Sequence, residues 1–545
     1  MAKEKAQPGE GFYTHFRLDY VLALGFFIGA GFLVYFPSLK GAPVFDDLHT
    51  LSQNPFIKVW APKQYFTDSG TFSAKLGNNP YRPLVVLSYA LDWKMGSGKW
   101  PAFHLTNILL HSLAAFFLLL AGEAIFKSKR VGLISGWLFL IHPLPGFSVN
   151  YLSARSGILA GLFLLISLDL WLKWKGEGRS AWRRICFIFH LLFFGFALGS
   201  KLDAVILIPI ITFLDWFMLN QRKGKALAKD LLPSALILLG FLVIYHLLAG
   251  SLTGPSRSAM IPFYPRGRSV IAGLMSPAIY FFKFLFPNRL TIFPALPGRQ
   301  ILLTAMAAMI YLSAFTLILF FRNRKWGLVL TWYFSALIPL LFLRLNILLA
   351  WHRGYLASIA LGIGFGLFLD SLLTRAKKAS AILLILTSML LAGLSRFQSQ
   401  AWRDPYQLWR EAVKQAPNEL VPHNYLAMIL IPKSEPARAR KELEWAIRLG
   451  PDFADAHNSL GILLFQQGED QGAREEFEKA CRLDPENYIY LENLIMTKFQ
   501  LREIEGMDQL FQKLLDIAPI TDVQAQKLYR LYLEVKDRDP GRPVP

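Results

Sequence analysis

Two acidic residues stand side by side where acids are scarce. Asp46 and Asp47 lie in the run FDDLHTLSQNP, a few residues past the first long apolar segment. A carboxylate at that depth is costly and marks a functional candidate. As a general base it would take a proton from an attacking hydroxyl. The pair could equally cap a loop, because Asp is common in turns and Asn54-Pro55 follows. The residues alone do not say which of the two is the base.

Cations recur at comparable places. Arg155 lies in NYLSARSGILAG, Lys201 in GSKLDAVILIP, Arg353 in NILLAWHRGYLAS and Arg82 in NNPYRPLVVLS, each at the end of an apolar run. Guanidinium grips phosphate oxygens in bidentate fashion and ammonium binds them as a point charge. Singly, each could snorkel to lipid headgroups. As a set of four they suit an anionic ligand entering from the lipid. His104, His142 and His352 lie near these positions, as do Asp203 and Tyr355, and are read as supporting residues. His111 is expected to hydrogen-bond a neighbouring helix. No His and acid pair has metal-ligand spacing, so no metal or other cofactor is implied. No Gly-rich phosphate loop, nucleophile elbow or Walker motif occurs.

The elements that hold these residues are membrane helices. Of 545 residues 54% are hydrophobic and only 18% charged, against about 25% in soluble proteins. The excess of basic residues is confined to the first 395 positions, which carry net +24, whereas 396–545 carry net −4. Those basic residues cluster in short loops between apolar runs. The positive-inside rule therefore explains them, and nucleic acid is not an expected partner. Cys186 and Cys481 are too far apart to suggest a disulfide framework. The stretch 1–17 lacks a cleavable signal pattern, so the first apolar segment is expected to be a retained anchor.

Apolar length predicts eleven spans, at 18–38, 103–125, 130–142, 155–173, 185–199, 203–219, 231–249, 301–321, 326–343, 354–373 and 379–395. The basic loops fall on one side if the N-terminus is cytoplasmic and 271–286 does not cross. The loops 39–102 and 250–300 then lie outside, as does the C-terminal end.

That end contains an internal repeat. Pro417, Pro451, Pro485 and Pro519 recur at one fixed interval, and it matches the tetratricopeptide period of about 34 residues. His423-Asn424-Tyr425-Leu426-Ala427 recurs as His457-Asn458-Ser459-Leu460-Gly461, with Ala439 and Ala473 at the helix crossing. The fold class expected is all-α: a polytopic membrane domain over 1–395, a linker or first helix over 396–416, and a tetratricopeptide solenoid over 417–545.

Taken in order, FDDLHTLSQNP, YRPLVVLSYALDW, WPAFHLTNILLH, IHPLPGFSVNYLSARSGILAG, SKLDAVILIPIITFLDW, HRGYLAS and QAWRDPYQLWREAVKQAPN make a pattern that resembles the GT-C glycosyltransferases. It is most similar to the transmembrane and tetratricopeptide-containing protein O-mannosyltransferases and their bacterial relatives. The resemblance implies a polyprenyl-phosphate sugar donor and inverting transfer outside the cytoplasm. It also implies an acidic base at Asp46 or Asp47, lipid-phosphate ligands at Arg155, Lys201 and Arg353, and repeats that bind an acceptor polypeptide. The membrane implied is the inner, cytoplasmic one, with the repeats in the periplasm or its equivalent.

The chain departs from that pattern where Leu144 to Phe147, Gly157, Leu202 and His352 stand at positions that often hold acids in relatives. Three readings follow. The first is transfer to protein, the second transfer to a lipid or surface polysaccharide, and the third a membrane-anchored repeat scaffold that no longer reacts.

Overall fold

The computed structural model describes residues 18–74, 80–176, 179–219, 224–250, 264–288, 290–296, 298–343, 347–503, 506–518 and 523–538. Pro519, the stretch 1–17 and 251–263 of the second long loop lie outside them. Among the described residues every regular element is helical.

Among the described residues eight helices are long and apolar enough to cross a membrane: Leu18–Lys40, Trp100–Phe126, Leu152–Lys175, Ser180–Ser200, Leu227–Ala249, Arg324–Phe342, Trp351–Arg375 and Lys377–Ala401. This is a multi-pass membrane protein. A ninth span is available if Lys129–Ile141 and Pro143–Asn150 cross together, bent by 51°. The break has a local cause. Pro143 has no N–H to donate back into the first helix, so the chain restarts there. His142 Nδ1 caps the new helix by accepting from the Leu144 N–H at 3.0 Å.

Of the eleven spans that apolar length predicts, two are not single long helices: 130–142 falls on the 13-residue helix Lys129–Ile141 that ends at the bend, and 203–219 is broken up. The stretch 203–219 is helical in three pieces of different pitch, Leu202–Ile206, Leu207–Phe213 and Leu214–Met218. The predicted span 301–321 lies within the single 24-residue helix Arg299–Arg322. The segment around 271–286 forms the helix Arg266–Leu285, which is not among the eight. It braces the mouth of a span instead. Tyr280 donates to Ala350 O at 2.7 Å, and its ring lies 2.6 Å from where a Cβ on Gly354 would be. Only glycine lets the turn Trp351–Gly354 pack so closely.

The C-terminal repeats are helical hairpins: Leu420–Leu430 with Pro436–Leu449, Ala454–Gln466 with Asp470–Leu483, and Tyr488–Gln500 with Met507–Ile517. Small residues set the crossings, as Ala439 and Ala473 are fully buried and Phe477 fills the space beside Gly461. The two histidines of the repeated sequence do one job twice. His423 joins Glu442 at 2.6 Å and Pro417 O at 2.9 Å. His457 joins Glu476 at 2.6 Å and Pro451 O at 2.8 Å. Each clamps its hairpin to the turn before it.

Candidate active site

The chain leaves the first span through a short 3-10 turn, Phe36–Lys40, and reaches the aspartates through Phe45. Phe45 has a φ of +56°, a left-handed conformation that a bulky residue rarely adopts. Asp46 and Asp47 flank the next turn in opposite environments. Asp46 is half-exposed, with its side chain 39% accessible. Its Oδ2 accepts from Tyr151 Oη at 2.7 Å, and His49 Nε2 lies 3.3 Å from Oδ1. Ser73 Oγ contacts the other ring nitrogen of His49 at 2.9 Å.

Asp47 is buried. Its Oδ1 accepts from Ser153 N at 2.7 Å and Ser153 Oγ at 2.5 Å, and its Oδ2 from Val44 N at 3.2 Å. Burial pushes the Asp47 carboxyl up to about 7, against the opposing pull of those hydrogen bonds. Asp47 therefore pins the loop to Ser153, while Asp46 keeps an accessible side that a substrate could reach.

Three cations share with Asp46 the surroundings of His352. The charges of Arg353, Lys201, Arg82 and Asp46 all bear on His352. Arg353 is within electrostatic reach of Asp46, Asp203 and Tyr151. The only hydrogen bond of its side chain among the described residues runs to Ile347 O, at 2.6 Å. Lys201 pairs with Asp203 at 2.5 Å and keeps partial access to solvent. Arg82 lies over Phe72 and reaches Ser156 Oγ at 3.4 Å. The His352 ring meets the Tyr151 ring edge-on at 5.5 Å.

Other expected site residues are placed differently. Arg155 is wholly buried. It pairs with Asp92 at 2.5 Å and donates to Asn107 Oδ1, Ser88 Oγ and Phe103 O at 2.6, 3.2 and 2.8 Å. Tyr89 lies under the guanidinium at 4.6 Å. With all three of its guanidinium nitrogens directed at protein groups, Arg155 is a strut between these helices. His142 is also committed: it caps a helix, sends Nε2 to Phe284 O at 2.8 Å and stacks on the Phe284 ring at 4.0 Å. Tyr355 bonds His111 Nδ1 at 2.9 Å in the helix interior, which is the role expected for His111. His104 is buried behind Gly41, supporting the start of the loop.

The sequence reading misses His49, Tyr151 and Ser153. His49 stands three residues after Asp46 in a helical turn, which puts both on one side. Tyr151 and Ser153 sit within the same run as Arg155, which draws attention to the wrong member. Among the described residues no three His, Cys, Asp or Glu side chains form a metal-binding group.

A family model described as tetratricopeptide repeat matches residues 426–488. The chain is similar to curated protein O-mannosyl-transferases. It is 30% identical to TMTC1 of Homo sapiens over 145 residues, which is 26% of this chain and 16% of that protein. It is 31% identical to tmtc2 of Xenopus laevis over 159 residues, 28% of this chain and 19% of that one. The matches thus span less than a fifth of those relatives' lengths. Among solved structures, ArnT from Cupriavidus metallidurans bound to undecaprenyl phosphate is 14% identical with a TM-score of 0.41, covering 97% of this chain and 90% of that one. The Archaeoglobus fulgidus oligosaccharyltransferase is 14% identical at a TM-score of 0.38, covering 79% and 59%.

Proposed function

We propose that this protein is a membrane glycosyltransferase that moves a sugar from a polyprenyl-phosphate donor to a hydroxyl of an acceptor protein outside the cytoplasm. The observation that carries the reading is the half-exposed Asp46, held by Tyr151 and His49 beside Arg353, Lys201 and Arg82. A base and a cradle for an anionic leaving group occur together, as this chemistry requires. Similarity to the O-mannosyl-transferases favours mannose as the sugar and protein as the acceptor.

In the proposed step Asp46 takes the acceptor hydroxyl proton. The oxygen forms a bond to the anomeric carbon as the bond from that carbon to the phosphate oxygen breaks. Polyprenyl phosphate leaves with the electron pair, and Arg353, Lys201 and Arg82 offset its charge. Asp47 is a positioning residue. A monophosphate leaving group asks for no more than these cations.

Residues 1–395 would carry the transfer, 396–416 the connection and 417–545 the repeats that engage the acceptor. The N-terminus would be cytoplasmic and the site would face the periplasm or its equivalent from the inner membrane.

The test is transfer of label from radiolabelled mannosyl polyprenyl phosphate in membranes of a deletion strain. Wild type restores transfer to the protein fraction and Asp46→Asn does not. Label appearing in lipid instead would favour a lipid or polysaccharide acceptor. The lack of an acid at His352, Gly157 and Leu202 themselves, positions that often hold one in relatives, favours a scaffold as the second reading, although Asp203 follows Leu202 directly. Wild-type membranes that transfer no more than the deletion would establish it.

A further inference from the structure

The loop that carries Asp46 does not rest on the membrane helices alone. Phe45 is buried against two aromatic rings from the C-terminal region. Trp409, in the helix Pro405–Gln415, meets it at 5.7 Å and 66°. Tyr425, in the helix Leu420–Leu430, meets it at 5.2 Å and 72°. Those two rings stack on each other at 4.6 Å. Phe45 is therefore wedged edge-on into an aromatic pair, a favourable geometry for such rings.

The wedge falls on the residue with the φ of +56°. A bulky side chain stays in that region only where its surroundings over-determine it. The peptide that follows carries Asp46, whose N–H points to Tyr151 Oη at 3.3 Å.

A second contact supports the same carboxylate from behind. Trp402, at the end of the last span, packs on Phe147 at 5.1 Å and on Tyr151 at 5.6 Å. Tyr151 is the residue that donates to Asp46. A third tie lies farther out, where Tyr264 of the second long loop bonds Glu419.

We propose that the first helices of the repeat region are a positioning element of the active site. Trp409 and Tyr425 hold Phe45 in its left-handed turn, and Trp402 backs Tyr151, so that together they aim Asp46. The inference rests on the reading of Asp46 as the base. It changes what a truncation means. Removing the repeats disarms the site towards every acceptor, so lost activity on truncation is not by itself evidence of acceptor capture.

The test uses full-length protein in native membranes with radiolabelled mannosyl polyprenyl phosphate, reading the rate at which label leaves the donor for any acceptor. Trp409→Ala is expected to lower kcat about 100-fold with donor KM unchanged, the size of effect that a displacement of about 1 Å produces. Trp409→Phe, which keeps an aromatic surface, restores most of the rate. Should Trp409→Ala fail to accumulate, Tyr425→Leu carries the same expectation. A kcat equal to wild type in the Ala variant, or a loss confined to KM, overturns the inference. Asp46→Asn is run alongside. If it is inactive while Trp409→Ala is normal, the base reading stands and only the positioning role falls. If Asp46→Asn is active, the base reading fails and takes this one with it.

Discussion

Arg155 and Arg353 occupy matching places in the chain, each in or just after a 3-10 turn that opens a long apolar helix. Their surroundings are opposite. Arg155 is enclosed by Asp92, Asn107, Ser88 and a backbone carbonyl, with aromatic rings against its plane. Among the described residues the Arg353 side chain bonds one carbonyl, and it lies within electrostatic reach of the half-exposed Asp46. The first arrangement uses charge to tie helices together. The second leaves charge for a ligand to use. A guanidinium at a helix mouth therefore says little until its donors have been followed to their partners.

Several measurements would break or sharpen that contrast. The largest effect belongs to Asp46→Asn, which removes the base and should lower transfer by roughly 10²–10⁴-fold, read as label moved from donor to acceptor. Asp92→Asn comes next. It leaves the buried Arg155 without its counter-charge and should cost about 3–5 kcal/mol of stability, seen as a lower melting temperature in detergent. Equal stability in that variant would mean that Arg155 is less tightly committed than its partners imply.

Arg353→Gln should do the reverse, keeping the melting temperature and raising donor KM by roughly 10- to 100-fold, the loss of a charge-assisted hydrogen bond or two. A smaller effect is expected at Asp47. Its carboxyl titrates near 7 in the folded protein, against about 4 in an unfolded chain. The folded state then holds the extra proton between those values, so wild-type stability should fall as pH rises from about 4 to about 7 and level off above. Asp47→Asn should flatten that profile in melting curves.

The smallest effect is in the repeats. The hydrogen bond that His457 donates to the Glu476 carboxylate raises the pKa of His457. Its stabilisation is present below the ordinary histidine value and fades as pH rises through the folded one. His457→Leu should therefore lower the melting temperature more at acidic than at alkaline pH.

How much of this is legible in the sequence varies with the range of the interactions involved. The even proline spacing and the recurrence of His423 as His457 expose the hairpins, because each clamp closes within a short stretch of chain. Apolar length finds the long spans but does not show that the run at 203–219 is helical in three short pieces of different pitch. The aspartate pair is visible, but the division of labour within it is not. That division follows from the left-handed turn at Phe45, and nothing in FDDLHT requires it. The turn depends on Trp409 and Tyr425, which come from the opposite end of the chain. Arg155 misleads for a similar reason, since its partners come from the distant segment 88–107.

The most direct test separates binding from chemistry. Purified wild type, Asp46→Asn and Arg353→Gln would each be titrated with polyprenyl phosphate, with binding read as a rise in melting temperature. The account predicts that Asp46→Asn binds as wild type does while Arg353→Gln binds weakly. Wild-type binding by Arg353→Gln, or loss of binding in Asp46→Asn, would contradict the assignment of phosphate to the cations and of the proton to the aspartate.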